Sequence, residues 1–333
     1  MDEENRPDDT LRERADEGKW RLWLVMNADR RVVAGVLLLL VFLTLLVAGE
    51  AYPGAEVTLR ETDSVDTMFQ GLLTATITGV TLVLTLNQLV LSQELGAVGD
   101  QRDRMDGAVT FHRDAADVLD TTVAPAQPAQ FLGSFVRTAG EQAEALRQNA
   151  PDGEAGEAIE SLTESIVGNA DSVAEDLDGA SFGEFDVVSA ALDFNYSWKV
   201  YETQRIDAEF GDRLDEETSD QLDSLRRTLT LFGPAREHFK TLYFQWELTA
   251  LSRTILTAAI PALVVSLFMV AYFNVATFEA AAFGVDGLVF VFALGATIGL
   301  VPFAILLSYV LRIATVTKHT LSIGPFILRG TDD

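Results

Sequence analysis

The chain has 333 residues, 48% of them hydrophobic, with 50 Asp plus Glu against 24 Lys plus Arg and a formal net charge of −26. So negative a surface repels nucleic acid, which is not expected as a partner. The absence of cysteine excludes disulfides and thiolate metal sites.

Only Lys19, Lys199, Lys240 and Lys318 are lysines; the other basic residues are Arg. This acid-rich, lysine-poor balance reads as halophilic, fitted to a salt-filled cytoplasm where dense ions screen self-repulsion. An acidic interaction surface is the other origin of such a charge.

Four uncharged apolar runs set the class: Val32–Gly49, Gly71–Leu91, Thr254–Val275 and Gly287–Leu311. Each has about 18 residues or more, enough to cross a bilayer as a helix. The expectation is an all-α, four-span protein, multi-pass in the cell membrane. Its segments are an acidic tail and interfacial stretch (1–31), a first membrane hairpin (32–91), an acidic helical domain (92–252), a second hairpin (253–311) and a tail (312–333).

Taken in order, Met1–Arg14 is acidic and aperiodic and is expected to be disordered. Trp20, Trp23 and Leu24 alternate with Lys19 and Arg21, and Arg30-Arg31 follows. That pattern fits a short headgroup-layer helix or an anchor for the first span. A polar, mostly acidic leader and an apolar core longer than about 7–15 residues argue against a cleaved signal peptide. The following loop carries Glu50, Glu56, Glu61, Asp63 and Asp66. Such carboxylates can ring a pore mouth, but an ordinary acid-rich loop surface is the expected role.

The second span is the most informative. Thr74, Thr78, Thr81, Thr85, Gln88 and Ser92 recur at steps of four and three, so a helix carries all six on one narrow face. Gly71, Ala75 and Gly79 line the neighbouring face as a small-residue ladder that lets another helix approach closely. Threonine can bond back to its own helix, which makes the stripe tolerable in hydrocarbon. Two roles follow: glue between helices, or the lining of a wet axis surrounded by copies of the chain.

Ser92–Ser252 holds 12 Lys plus Arg against 32 Asp plus Glu. Ile159, Leu162, Ile166, Val173 and Leu177 fall at helical spacing, as do Leu222, Leu225, Leu229 and Phe232, and Phe239, Tyr243, Trp246 and Ala250. Breaks are expected at Ala124–Pro128, Pro151–Gly153, Asp178-Gly179 and Gly233-Pro234. This predicts about five or six amphipathic helices. The last, free of Gly and Pro from Ala235 to Ala259, feeds directly into the third span. There Ala258, Ala262 and Ser266 form another small-residue ladder, and Pro261 predicts a kink. In the fourth span, Gly295 and Gly299 form a GxxxG helix-packing pair ahead of Pro302. The tail Thr315–Asp333 is expected against the bundle or the membrane.

Lys19, Arg21, Arg30 and Arg31 precede the first span, and Arg102 and Arg104 follow the second. Arg236, Lys240 and Arg253 precede the third, Arg312 and Lys318 follow the fourth, and the two short connecting loops hold Arg60 alone. The positive-inside bias therefore predicts that both termini and the 92–252 domain are cytoplasmic.

No phosphate loop, GxGxxG, GxSxG or HExxH occurs, and His112, His238 and His319 sit in separate segments. No catalytic, cofactor or metal site is expected, and the protein is not expected to be an enzyme. The apolar runs hold no Asp, Glu, His, Arg or Lys, the residues that relay or couple ions in transporters. The four-span layout, with both termini inside and a large domain between spans two and three, resembles the topology of bestrophin-type anion channels. The resemblance is one of topology and carries over no residue. The leading expectation is a homo-oligomeric, weakly selective ion pathway in the lipid bilayer, lined by the second span. The alternative is a membrane-anchored scaffold whose acidic bundle recruits a cytoplasmic protein partner.

Overall fold

A computed structural model describes residues 28–180, 185–278, 281–282 and 285–318. The tail Met1–Arg14, the segment around Trp20 and Trp23, His319 and the chain after it lie outside the described residues. The helices are α1 (Arg30–Ala51), α2 (Ala55–Glu61), α3 (Ser64–Glu94), α4 (Val98–Val118), α5 (Pro128–Gln148), α6 (Glu154–Asp178), α7 (Phe185–Leu192), α8 (Tyr196–Phe210), α9 (Glu216–Ala271) and α10 (Gly287–Lys318). A two-residue ribbon, β1 (Ala281–Ala282) antiparallel to β2 (Val285–Asp286), pairs Ala281 with Asp286 and Ala282 with Val285. The fold is all-α, and α1, α3, α9 and α10 are long and apolar enough to cross a membrane. The chain divides into an acidic unit that includes 96–244 and a four-helix unit of 23–95 and 245–314.

In the acidic unit, local chemistry sets the helix ends. Pro128 opens α5, where its missing N–H costs nothing. Gly153, at φ +87°, turns the chain into α6, whose first turn carries Glu154 and Glu157 against the helix dipole. Asp215, the residue before α9, accepts from the Thr218 N–H in the first turn of that helix at 2.7 Å. That bond holds its carboxyl below the usual carboxylate range. Ile159, Leu162, Ile166, Val173 and Leu177 on α6 and Leu222, Leu225, Leu229 and Phe232 on α9 are all buried in one core.

Two expectations for this region need correction. Gly233-Pro234 does not break the chain: α9 runs without interruption from Glu216 to Ala271. Packing overrides the local signal there. A side chain at Gly233 would reach within 2.6 Å of the Tyr196 ring, which also meets Phe232 edge-on and lies under the Arg236 guanidinium at 4.5 Å. The glycine admits the aromatic ring, and these contacts offset the roughly 3 kcal/mol cost of an interior proline. Trp246 is 52% exposed instead of continuing the buried stripe, while the adjacent Glu247 is 5% exposed.

In the four-helix unit α10 is the most enclosed helix, with 44% of its apolar window buried against 6% for α1. Gly49 abuts Val289 and Phe42 meets Phe290 edge-on at 5.9 Å, joining α1 to α10. Gly295 and Gly299 leave room for Phe69 and Leu72 of α3, and for Met269 and Ser266 of α9. A methyl at either glycine would come within 2.9 Å of an α3 side chain, so the GxxxG spacing sits at the closest approach of three helices. Ala262 and Ser266 of the α9 ladder are fully buried. Pro261 lies inside the unbroken α9, as Pro302 does in α10.

Candidate functional site: a polar stripe on α3

The side of α3 that packs within the chain is read from burial: Val65, Phe69, Leu72, Thr76 and Val83. These recur at steps of four, three, four and seven, and at about 100° per residue they cluster within about 40° of one direction. Thr74, Thr78, Thr81, Thr85, Gln88 and Ser92 centre about 180° away on the same geometry. All six are exposed in the single chain. The stripe therefore takes no part in the packing of its own four-helix unit.

Its hydroxyls are satisfied locally. Thr74 donates to the Gln70 carbonyl at 3.0 Å, Thr78 to Thr74 at 2.9 Å, Thr81 to Ile77 at 2.9 Å and Thr85 to Thr81 at 2.9 Å. Ser92 donates to Leu89 at 2.7 Å. Each oxygen keeps an acceptor lone pair directed away from the helix, so the face is polar and uncharged and its hydroxyl donors are all bonded. Exposed Ile77, Leu82, Leu84 and Leu89 flank it.

The small-residue ladder beside the stripe divides. Gly79 faces Phe303 of α10 at ordinary contact distance, 3.8 Å for an added methyl, and Ala75 is half-buried. Gly71 has open space where a side chain would stand. On the opposite, packed side of α3 the Thr76 hydroxyl, 1% exposed, lacks a hydrogen-bond partner, as does the Ser266 hydroxyl of α9, 0% exposed.

A second constellation escaped the sequence. Arg30 at the start of α1 pairs with Glu247 of α9 at 2.7 Å and lies over the Tyr309 ring of α10 at 5.0 Å. Arg312 of α10 is buried and donates to the Ala28 carbonyl at 2.6 Å. Arg30 and Arg312 stand out in the sequence only as end-of-span cations. Glu247 gives no signal among so many acids, apart from falling four residues after Tyr243 on the buried side of α9. At the other end of the unit, Arg60 pairs with Glu56 at 2.8 Å and donates to the Val275 carbonyl at 3.1 Å. The Asp286 N–H donates to Glu50 at 2.8 Å. These contacts give Glu50 and Glu56 structural partners in the connecting loops.

His112 stacks on Phe131 at 5.8 Å and His238 lies against Phe239. Among the described residues no group of three or more His, Asp and Glu is placed to hold a metal. No curated protein and no solved structure matches the chain. The sequence profile of DUF7972, a family of unknown function, matches residues 1–333, and the chain belongs to that family.

Proposed function

We propose that the protein is a homo-oligomeric, passive ion pathway of the cell membrane, with the α3 stripe facing the axis and the acidic unit and both termini in the cytoplasm. The observation that carries this reading is the opposition of two faces on α3. One seats the helix in its own chain; the other, 180° around by helical geometry, is polar, uncharged and unused. A face built only for lipid gains nothing from four threonines in succession. A face turned to a shared water-filled axis offers permeating ions a row of hydroxyl oxygens. With no formal charge on the stripe, the pathway discriminates weakly between ions. The Arg and Lys residues at the ends of the apolar runs support the sidedness.

The test is ion flux in proteoliposomes at high salt. Replacing Thr78 and Thr81 together with Leu should lower flux several-fold while leaving the fold intact, because both hydroxyls bond only within their own helix. Folded, oligomeric protein that passes no ion at any voltage ends the proposal.

A second reading, a membrane-held scaffold, is favoured by the separate core of the acidic unit. It expects flux to be absent, the Thr stripe to accept Leu without consequence, and the acidic helices to hold a defined cytoplasmic partner.

A further inference from the structure

Within the four-helix unit, one face of α9 is bare from Trp246 to Leu267. Leu256, Ile260, Val264 and Leu267 are 39%, 64%, 60% and 56% exposed. At about 100° per residue they lie within about 40° of one direction, and Trp246 and Arg253 fall on the same side. Between Arg253 and Tyr272 the exposed residues of this helix carry no charge. The Thr257 hydroxyl donates back to the Arg253 and Thr254 carbonyls at 3.2 and 2.8 Å. The face thus runs from an arginine, through an apolar middle, to Tyr272 at its far end, 78% exposed.

Two helices repeat this layout at the spacing of a bilayer. Arg253 and Tyr272 are about 28 Å apart by helix rise. On α1 the exposed Arg31 and Tyr52 are about 32 Å apart by the same rise. A hydrocarbon core is about 30 Å thick, and tyrosines gather at its edges. The two arginines stand at one level of the unit. Arg30 lies over the Tyr309 ring at 5.0 Å, and Tyr309 packs in one cluster with Leu251 and Ile255, which flank Arg253 along α9.

We infer that Arg31 and Arg253 hold the phosphates of lipid headgroups and draw acidic phospholipid to this end of the four-helix unit. Both are exposed, and neither makes an ion pair among the described residues. The carboxylates beside them are engaged: Asp29 accepts from the Arg31 backbone N–H at 2.7 Å, and Glu247 pairs with Arg30. An uncommitted guanidinium forks onto phosphate oxygens. A chain of net charge −26 repels anionic lipid as a whole, so the attraction is local to this collar. The same level crosses α3 near Val83, which packs with Leu251 and Ile255. Thr74, Thr78 and Thr81 then lie within the hydrocarbon, while Gln88 and Ser92, about 8 and 14 Å beyond Val83, lie among headgroups. None of this requires conduction, and it holds whichever side of the membrane the arginine end faces.

The chain has no cysteine, so one introduced thiol reports on its own depth. Leu256→Cys and Ile260→Cys, each carrying a small fluorophore in the full-length protein in vesicles, are exposed to lipids brominated deep or shallow in the acyl chain. Deep bromines should quench position 260 more than 256, and shallow bromines the reverse. In the unsubstituted protein, spin-labelled phosphatidylglycerol should associate about twofold or more over spin-labelled phosphatidylcholine. Arg31→Gln with Arg253→Gln should abolish that preference and leave the circular dichroism unchanged, because both side chains are exposed. A label at 260 that no lipid bromine reaches, as a second copy or a protein partner on this face would cause, overturns the inference. So does equal association of the two lipids with the unsubstituted protein, or a preference that the double variant retains.

Discussion

Replacing Thr76 with Val removes a hydroxyl that is 1% exposed and has no hydrogen-bond partner, and puts a methyl in its place. An unbonded buried hydroxyl costs about 1–3 kcal/mol. Once the helices separate in lipid, that hydroxyl can bond back to its own helix, as its neighbours on α3 do, so the cost belongs to the packed state. Thr and Val have similar helix propensity and nearly the same shape. Thr76→Val should therefore stabilise the four-helix unit by about 1 kcal/mol, at the low end of that range because the methyl must still fit the seam. Thr78→Val is the control. Its hydroxyl is bonded within α3 and exposed, so its effect should stay within about 0.5 kcal/mol. Reversible unfolding in bicelles, driven by a denaturing detergent, measures both. A Thr76→Val loss of 1 kcal/mol or more would mean that the hydroxyl has a partner, and the assignment of the two faces of α3 would fail with it.

Glu247→Gln leaves the Arg30 cation at a site where its partner's side chain is 6% exposed; the same assay should show a loss of about 3 kcal/mol, and no loss would mean that the pair is not formed. Asp215 adds a pH dependence. Its folded pKa lies below the ordinary value of 3.8 because of the Thr218 N–H. Its contribution is thus fully present above about pH 4 and lost as pH falls through the lower folded value. Asp215→Asn should flatten that acid-side fall in thermal melts at fixed high salt; an unchanged pH profile would refute the cap.

The four apolar runs and the heptad spacing of α6 and α9 were legible because burial imposes a period on the sequence. The two faces of α3 were only half legible. The polar face announces itself by residue type, whereas the packed face mixes Phe69, Leu72 and Thr76, indistinguishable by composition from lipid-facing residues. In a bilayer, packed and lipid-exposed sides are equally apolar, so hydropathy cannot rank them. Gly233-Pro234 misled for a different reason: the residue that reverses its meaning, Tyr196, stands 37 positions earlier. Glu247 was hidden by abundance, one carboxylate among 50 acidic residues.

α1 is fastened by Arg30 to Glu247, by Phe42 to Phe290 and by Gly49 and Glu50 to Val289 and Asp286, while Leu39, Leu40 and Leu43 stay open. Those anchors are synthesised late: 236 residues separate Glu50 from Asp286. At about 5–20 residues per second, the ribosome needs about 10–50 s to deliver them. Through most of that interval the nascent α1 lacks these anchors. A middle rich in leucine and valine suits it to wait in the bilayer without recruiting the wrong neighbour.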